Sequence, residues 1–498
     1  MIGSADAEDR ADLKVLGGRR LIEDAPRAAA GRLGLPTLLT FSAVTLPMSA
    51  LGVALAIFLP RYFASHLGVS LIAVGGAFFA VRLIDVPVDP ILGLLMDRTR
   101  TAIGRYRVWL LIGAPILMLA VYQLFMAPMG ISRGYLIGWL LCLYLGTSII
   151  GLSHTAWGST LAPAYHQRSR LFGVLAMVGV AASVVVLGIP TLAKLFHLGD
   201  PDGVRTMGWL VLALIPIGIG LVAWRIPEKV AVDVHTTERF PLRDYLQLFT
   251  KPAMLRLILA QTCLTLSPGW MSALYLFFFK DVLGFSIAVA SGLLGVYALA
   301  GLAGAPITAW VSSKIGKHRT LMLATSAYSI GLCAVMVIPK NGNILTAIPV
   351  MLWCGGMASG FNLLIQSMTA DVGDEVRLEQ GKQRMSLIYS LTSLAAKIAG
   401  AFAIGLTYWV LAKVGYDAKD GAHNTAHAIF GLEMAYVVGP IVFAMLGGAC
   451  FIGWKLDAVR HGEIREALDA RDAAFNEAPI IESLTGLPAI PVLAAQAD

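Results

Sequence analysis

The stretch Arg82-Leu-Ile-Asp85-Val-Pro-Val-Asp89-Pro90 places one guanidinium and two carboxylates inside an apolar run that extends from Val69 to Asp97. An ionised side chain at the centre of a bilayer costs about 2.5–3.5 kcal/mol on insertion scales, so this grouping requires mutual pairing, a water-filled path or a bound ion. On a helix Asp85 and Asp89 share a face, and Arg82 lies one turn before Asp85 on the same side. Asp89 then sits on the order of 13 Å from the basic turn at Arg98. Two like charges this close repel, and a bound proton or Na⁺ relieves them. Pro87 and Pro90 each remove a backbone donor, which predicts a kinked or loosened helix whose freed carbonyls are extra cation ligands. A bland alternative, in which Asp85 only neutralises Arg82, leaves Asp89 unexplained.

The rest of the chain fits a bilayer. Of 498 residues, 57% are hydrophobic and 14% charged, with mean hydropathy +0.73, against roughly 25% charged in soluble domains. The net charge of +7 does not point to nucleic acid, because the basic residues lie in short clusters between apolar runs. Cys142, Cys263, Cys333, Cys354 and Cys450 occur singly in apolar segments, so neither a disulfide framework nor a thiolate metal site is expected. No cofactor is implied, and no GxxxxGK[ST] loop supports ATP-driven work.

Apolar stretches of about 20 residues, the length that crosses a bilayer, predict an all-α membrane protein with twelve transmembrane helices. They fall near 38–60, 68–95, 108–127, 136–162, 172–195, 206–224, 253–279, 286–311, 320–338, 344–368, 386–412 and 427–455. The turns after even-numbered spans hold 17 Lys and Arg and the others 8, which places the even turns and both termini in the cytoplasm. The polar segment 226–252 divides the spans into two six-helix halves, 36–225 and 253–455, with cytoplasmic tails at 1–35 and 456–498. Ile103-Gly-Arg-Tyr-Arg107 and Ile315-Gly-Lys-His-Arg319 repeat one pattern 212 residues apart, as expected of two repeated halves. Within the second tail, Leu456 to Phe475 reads as an amphipathic helix, followed by a disordered Pro-containing end.

Lys397 is a further isolated charge, roughly 20 Å into its span and too deep to snorkel. Ala395, Ala396, Ala399 and Gly400 around it permit a close helix neighbour. The expectation is that Lys397 faces Asp85 and Asp89 across the two halves. Glu433 is another isolated acid, with no partner identifiable from the sequence.

Arg82-x-x-Asp-x-x-x-Asp-Pro-x-x-Gly93, followed by Gly104-Arg-Tyr-Arg107-x-Trp109, resembles the glycoside-pentoside-hexuronide:cation symporter family, melibiose permease-like, of the major facilitator superfamily. The similarity continues through Gln167-Arg-Ser-Arg-Leu-Phe-Gly173, Ala370-Asp-Val-Gly-Asp-Glu375, Gly381 with Arg384, and Lys397. It implies the major facilitator fold, alternating access, a coupling-cation site at Asp85 and Asp89 (a metal site if the ion is Na⁺ and not H⁺), and a coupling role for Arg82 and Lys397. Asp97, Arg98, Arg105, Arg107, Asp371, Asp374 and Arg384 are read as gating residues, cytoplasmic latches whose exposed pairs are each worth about 0–1 kcal/mol.

The family's acidic and arginine sugar ligands fall on Ser49, Ser153 and Leu175, and its helix-four threonine on Ile150, with Thr147 and Ser148 nearby. Trp157 falls on an aromatic that packs on sugar, and Asn362 near another pocket position. Candidate substrate residues are therefore Trp157, Ser153, His154, Ser49, Asn362, Trp270 and Tyr389, with Gln366 beside them. Aromatic faces suit the apolar face of a pyranose, although most membrane tryptophans are core or interfacial. The expected function is secondary active symport of H⁺ or Na⁺ with a sugar, glycoside or sugar-acid-like solute. The alternative is a transporter or sensor of a less polar, amphiphilic, lysolipid-like ligand. An aspartyl enzyme is disfavoured, because both carboxylates sit one turn apart on a single helix. The expected partners are the small-molecule substrate and the lipid bilayer, the chain works as a monomer, and its place is the bacterial cytoplasmic (inner) membrane.

Overall fold

A computed structural model describes residues 34–477 except 100, 102, 162–164, 198, 229–250, 341–342 and 381–384. Its described residues form fourteen helices in chain order. A short α1 (Leu35–Ser42) leads into α2 (Thr45–His66), then α3 (Leu71–Arg98), α4 (Arg105–Phe125), α5 (Arg133–Leu161), α6 (Tyr165–Leu195) and α7 (Asp200–Arg225). The second series is α8 (Pro252–Val282), α9 (Ile287–Ile315), α10 (Lys317–Val335), α11 (Ile344–Gln380), α12 (Met385–Lys413) and α13 (Ala426–Ala449), with α14 (Ala458–Glu477) following. Large apolar side chains such as Ile72, Leu83, Ile84, Trp224 and Leu345 stay exposed on the outside, which only lipid accommodates over this many helices.

Among the described residues eleven of the twelve expected spans are helices long and apolar enough to cross a membrane. The one that falls short is α10, which has 19 residues and opens on Lys317-His318-Arg319. It nevertheless packs between α11 and α13 in the second series. The first span also runs past its expected end at 60: π-helical turns at Ala54–Phe58 and Tyr62–His66 carry α2 six residues further. The linker 226–252 lies mostly outside the described residues.

The two series repeat at the level of turns. Gly104 (φ 122°) separates α3 from α4 and Gly316 (φ 89°) separates α9 from α10, within the Ile-Gly-basic-x-Arg pattern. Both glycines hold a positive φ that a side chain disfavours. A second repeat is absent from the sequence expectations. α2 and α8 each end in a π turn, with Leu67 N donating to Tyr62 O and Leu283 N to Phe278 O at 3.1 Å. Each is followed by a Gly of positive φ, Gly68 or Gly284. A serine then caps the next helix, Ser70 Oγ accepting from Ala73 N at 3.3 Å and Ser286 Oγ from Val289 N at 3.4 Å.

Contacts between the series run along α3–α12, α6–α9 and α2–α8. Small residues make the first of these close. A Cβ at Gly75 would lie 2.9 Å from Tyr408 Cβ, and one at Gly405 would lie 2.9 Å from Phe79 Cβ and 3.3 Å from Gly75 O. Without a hydrophobic force between helices in lipid, such backbone approach supplies the packing. Gly405→Val is therefore expected to cost about 1–3 kcal/mol by overpacking, read as a lower unfolding temperature; an unchanged temperature would contradict this close approach.

Further contacts between the series are Thr191 Oγ1 to Ala288 O (3.3 Å), Asp420 N to Ser65 O (3.0 Å) and Lys280 Nζ to Asp200 Oδ2 (4.0 Å). All three lie at the end opposite the basic turns.

Candidate functional site

The inward face of α3 gathers the charges that its sequence places in the apolar run. Asp85 is 4% exposed, while Leu83, Ile84 and Ile91 point outward. The helix stays continuous through Pro87 and Pro90. Lys397 of α12 reaches across between the series, its Nζ 3.4 Å from Asp85 Oδ2 and in direct contact with Asp89 Oδ2. Arg82 Nη1 lies 3.9 Å from Asp85 Oδ2. Its guanidinium stacks over the Tyr144 ring of α5, 4.4 Å from the centroid. One turn further along α5, Ser148 Oγ donates to Asp85 Oδ1 at 3.1 Å.

The cluster balances two carboxylates against an ammonium and a guanidinium. Lys397 relieves the repulsion between the carboxylates by lying against both of them. One acceptor stays unsatisfied: Asp89 Oδ1 is buried and receives no hydrogen bond. Among the described residues no group of three or more His, Cys, Asp or Glu assembles a metal site. Lys397 meets Asp85 Oδ2 and Asp89 Oδ2, while Ser148 takes the other oxygen of Asp85. Among the described residues no third carboxylate joins them.

The gating candidates take partners within their own series. Glu228, just past α7, accepts from the backbone N–H groups of Arg105 (2.8 Å), Tyr106 (2.7 Å) and Arg107 (3.0 Å), sealing the N-terminus of α4 with a negative charge. Arg105 Nε donates to Met96 O at 2.9 Å, and Arg107 Nη2 donates to Ile226 O at 2.6 Å. In the second series Lys317 Nζ holds both oxygens of Asp371 at 2.7 Å. Asp374 meets two residues of α14, His461 at 3.2 Å and Arg465 at 3.6 Å. Arg98 is exposed at the end of α3. The side chain of Asp97 and the whole of Arg384 lie outside the described residues, as do the side chains of Gln167 to Ser169 and the whole of Gly381. Glu228 and Lys317, unassigned from sequence, thus supply the acid and the base that complete these clusters.

The contact of α14 with Asp374 is partly exposed, with Arg465 half in solvent, and is worth about 1 kcal/mol in total. Asp374→Asn should raise amide hydrogen exchange in α14 by roughly five-fold. Unchanged protection would mean that other contacts dock this helix.

The substrate candidates divide into two groups. Ser153 is fully buried, its Oγ donating to Ile149 O at 2.7 Å and Ile150 O at 3.2 Å within its own helix. His154 Nε2 lies 2.9 Å from Phe41 O, and its ring stacks on Phe41 at 4.3 Å. Trp157 is 1% exposed, edge-on to Phe41 and 5.6 Å below the Arg107 guanidinium. Ser49 is half-buried against Gly179, where a Cβ would come within 2.8 Å of its Oγ. Trp270 donates Nε1 to Ala435 O at 2.8 Å and packs on Phe443. Asn362 and Gln366 differ: they are exposed one turn apart on α11 and linked at 3.4 Å. Tyr389 of α12 joins them, its hydroxyl donating to Gln366 O at 3.2 Å.

The acid pair is thus bridged by a lysine from the opposite series, and comparison with known proteins shows the family. A family model described as MFS/sugar transport protein matches residues 40–458. The chain belongs to that family. As an MFS/sugar transport protein it is a multi-pass integral membrane symporter of the glycoside-pentoside-hexuronide:cation group within the major facilitator superfamily, and not an enzyme. The isoprimeverose transporter of Lactiplantibacillus pentosus is 25% identical over 417 residues, covering 81% of this chain and 85% of the relative. The glucuronide carrier protein homolog of Escherichia coli K12 is 23% identical over 429 residues, 84% and 91% of the two chains. The solved structure of the nucleoside transporter NupG superposes with a TM-score of 0.59 at 14% identity, over 84% of this chain and 99% of that one. At that identity the likeness establishes the all-helical fold alone.

In this MFS/sugar transport protein the sequence reading left Tyr144 unassigned and noted Ser148 only as a neighbour of Ile150. Their four-residue spacing puts a ring and a hydroxyl on one face of α5, but that spacing does not say which helix the face meets.

Proposed function

We propose that this symporter couples a monovalent cation, H⁺ or Na⁺, to uptake of a sugar, glycoside or sugar-acid-like solute. The two six-helix halves, 36–225 and 253–455, rock about the cation site while 226–252 tethers them on the cytoplasmic side. The membrane is the bacterial cytoplasmic membrane, the basic turns and both termini face the cytoplasm, and one chain suffices. The observation that carries this reading is the Lys397 ammonium lying on both Asp85 and Asp89. A cation that displaces it frees a lysine of one half from an acid pair of the other, so ion binding acts directly on the seam between the halves. Occupancy by cation and by solute must then favour each other by the same factor. Asn362, Gln366 and Tyr389 are the solute contacts in this proposal; Tyr389 is two helical turns, about 12 Å, from Lys397.

The test is uptake into proteoliposomes under an imposed Na⁺ or H⁺ gradient, with isoprimeverose and a glucuronide as first probes because two relatives carry those names. Accumulation should follow one of the two gradients. Indifference to both would reject coupled symport.

A second reading, a transporter or sensor of a less polar, amphiphilic ligand, has its own support. Ser153 Oγ, His154 Nε2 and Trp270 Nε1 are engaged inside the protein, so these three atoms are not offered to a many-hydroxyl solute. Saturable lysolipid binding without gradient-driven accumulation would favour it.

A further inference from the structure

At the end opposite the basic turns a cavity of about 190 Å³ lies between the two series. Arg61, Tyr62 and Ser65 of α2 form one wall with Lys194 of α6, and Ser286 beside α9 and Asp420, between α12 and α13, form the other. Three donors on the first wall are buried without a hydrogen-bond partner: Arg61 Nε, the Tyr62 hydroxyl and Ser65 Oγ. Their residues are only 7%, 4% and 7% exposed. Buried polar groups are nearly always paired, so three orphans on neighbouring residues of one helix, all three residues lining one cavity, need a common explanation. Arg61 raises the requirement, since a guanidinium taken out of water without a counter-charge is costly. Its guanidinium lies 5.5 Å over the Phe277 ring, and among the described residues no carboxylate comes within ion-pair distance of it. The two acids on the cavity wall are shared with another base, Asp200 at 4.0 Å and Asp420 at 3.3 Å from Lys280 Nζ. Asp281, also nearby, accepts the Tyr416 hydroxyl.

We propose that this cavity is an oxyanion site. A carboxylate or an inorganic phosphate takes the planar fork of Arg61, with the Tyr62 and Ser65 hydroxyls donating to its remaining oxygens. The volume equals roughly six waters at about 30 Å³ each, which admits phosphate or a carboxylate. Both halves contribute walls, and Asp420 N bonds Ser65 O directly at 3.0 Å. The donors sit on α2, and the opposite wall covers them only while this end is closed. An anion bound there favours the closed end and holds back its opening by the same factor. This goes beyond the transport reading and is read by binding, so its failure leaves the Asp85–Lys397 coupling untouched.

The experiment titrates the purified full chain at constant ionic strength with inorganic phosphate, with glucuronate, and with glucose as the neutral control, reading thermal unfolding. A saturable upward shift is expected with at least one anion and none with glucose; the tighter of the two identifies the source of the oxyanion. Arg61→Gln should weaken that anion at least ten-fold. Lys397→Gln should keep the response, which separates this cavity from the central site. If Arg61→Gln does not purify folded, Ser65→Val supplies the reading, with an expected three-fold or greater weakening. No saturable shift in the unmodified protein, or undiminished affinity in both variants of the wall, overturns the proposal.

Discussion

Asp89→Asn is expected to abolish uphill accumulation while leaving a folded carrier that still exchanges solute across the membrane. Asparagine keeps the size of the side chain, so the packing of α3 on α12 survives. The charge that Lys397 contacts directly is lost, and Asp85 remains with Lys397 at 3.4 Å and Arg82 at 3.9 Å. The cluster then carries a net positive charge where a cation has to bind. Removing one partner of a buried pair costs about 3–5 kcal/mol. The lower end applies here, since the Asp89 and Lys397 side chains are 21% and 28% exposed. The lost carboxylate also removes about 4 kcal/mol of attraction for a cation about 4 Å away at an effective dielectric of about 20, which at about 1.4 kcal/mol per decade is a loss of cation affinity of roughly a hundred-fold or more. The measurement is uptake against counterflow in the same vesicles. Uphill accumulation at the unmodified rate would show that Asp89 carries no part of the coupling.

Lys397→Gln should have the opposite effect on binding and the same effect on work. Without the ammonium, Asp85 and Asp89 repel across one helical turn, with only Arg82 to offset them. A cation no longer competes with an attached positive charge, so its affinity rises, by about ten-fold or more for a partner worth over 1.4 kcal/mol. The variant's unfolding temperature should therefore climb by several degrees on adding Na⁺, or on acidification if the ion is H⁺, because a ligand that binds only the folded state stabilises it. The unmodified protein should respond much less. Transport becomes indifferent to the gradient, since the ion no longer trades places with a residue of the opposite half. Equal ion sensitivity in variant and unmodified protein would remove Lys397 from the ion site.

The acid pair and Lys397 stood out in the sequence because charge inside an apolar run has few structural uses, and their meeting follows once two halves are assumed. Tyr144 and Ser148 were obscure because their role depends on how α5 leans on α3, which no local spacing encodes. Trp157 illustrates the reverse problem. A buried aromatic that packs on Phe41 and one that packs on a ligand share the same local sequence, and only its 1% exposure and the Arg107 guanidinium above it show where this one sits. The charged turns were legible as clusters, but their partners Glu228 and Lys317 come from elsewhere in the chain. Among the twelve expected spans α10 is the least apolar because three basic residues open its first turn, while its neighbours still hold it in place. The Leu-Gly-x-Ser repeat at Leu67–Ser70 and Leu283–Ser286 was present in the sequence and is a stronger mark of the two halves than the single motif first noted.

The cluster of Arg82, Asp85, Asp89 and Lys397 sums to zero formal charge, and this has an electrical consequence. A carrier that resets in this form drags no net charge through the field, so its empty return is blind to membrane voltage. With the proposed coupling, the loaded stroke carries one extra positive charge with a neutral solute, and each 100 mV then contributes about 2.3 kcal/mol to that stroke alone.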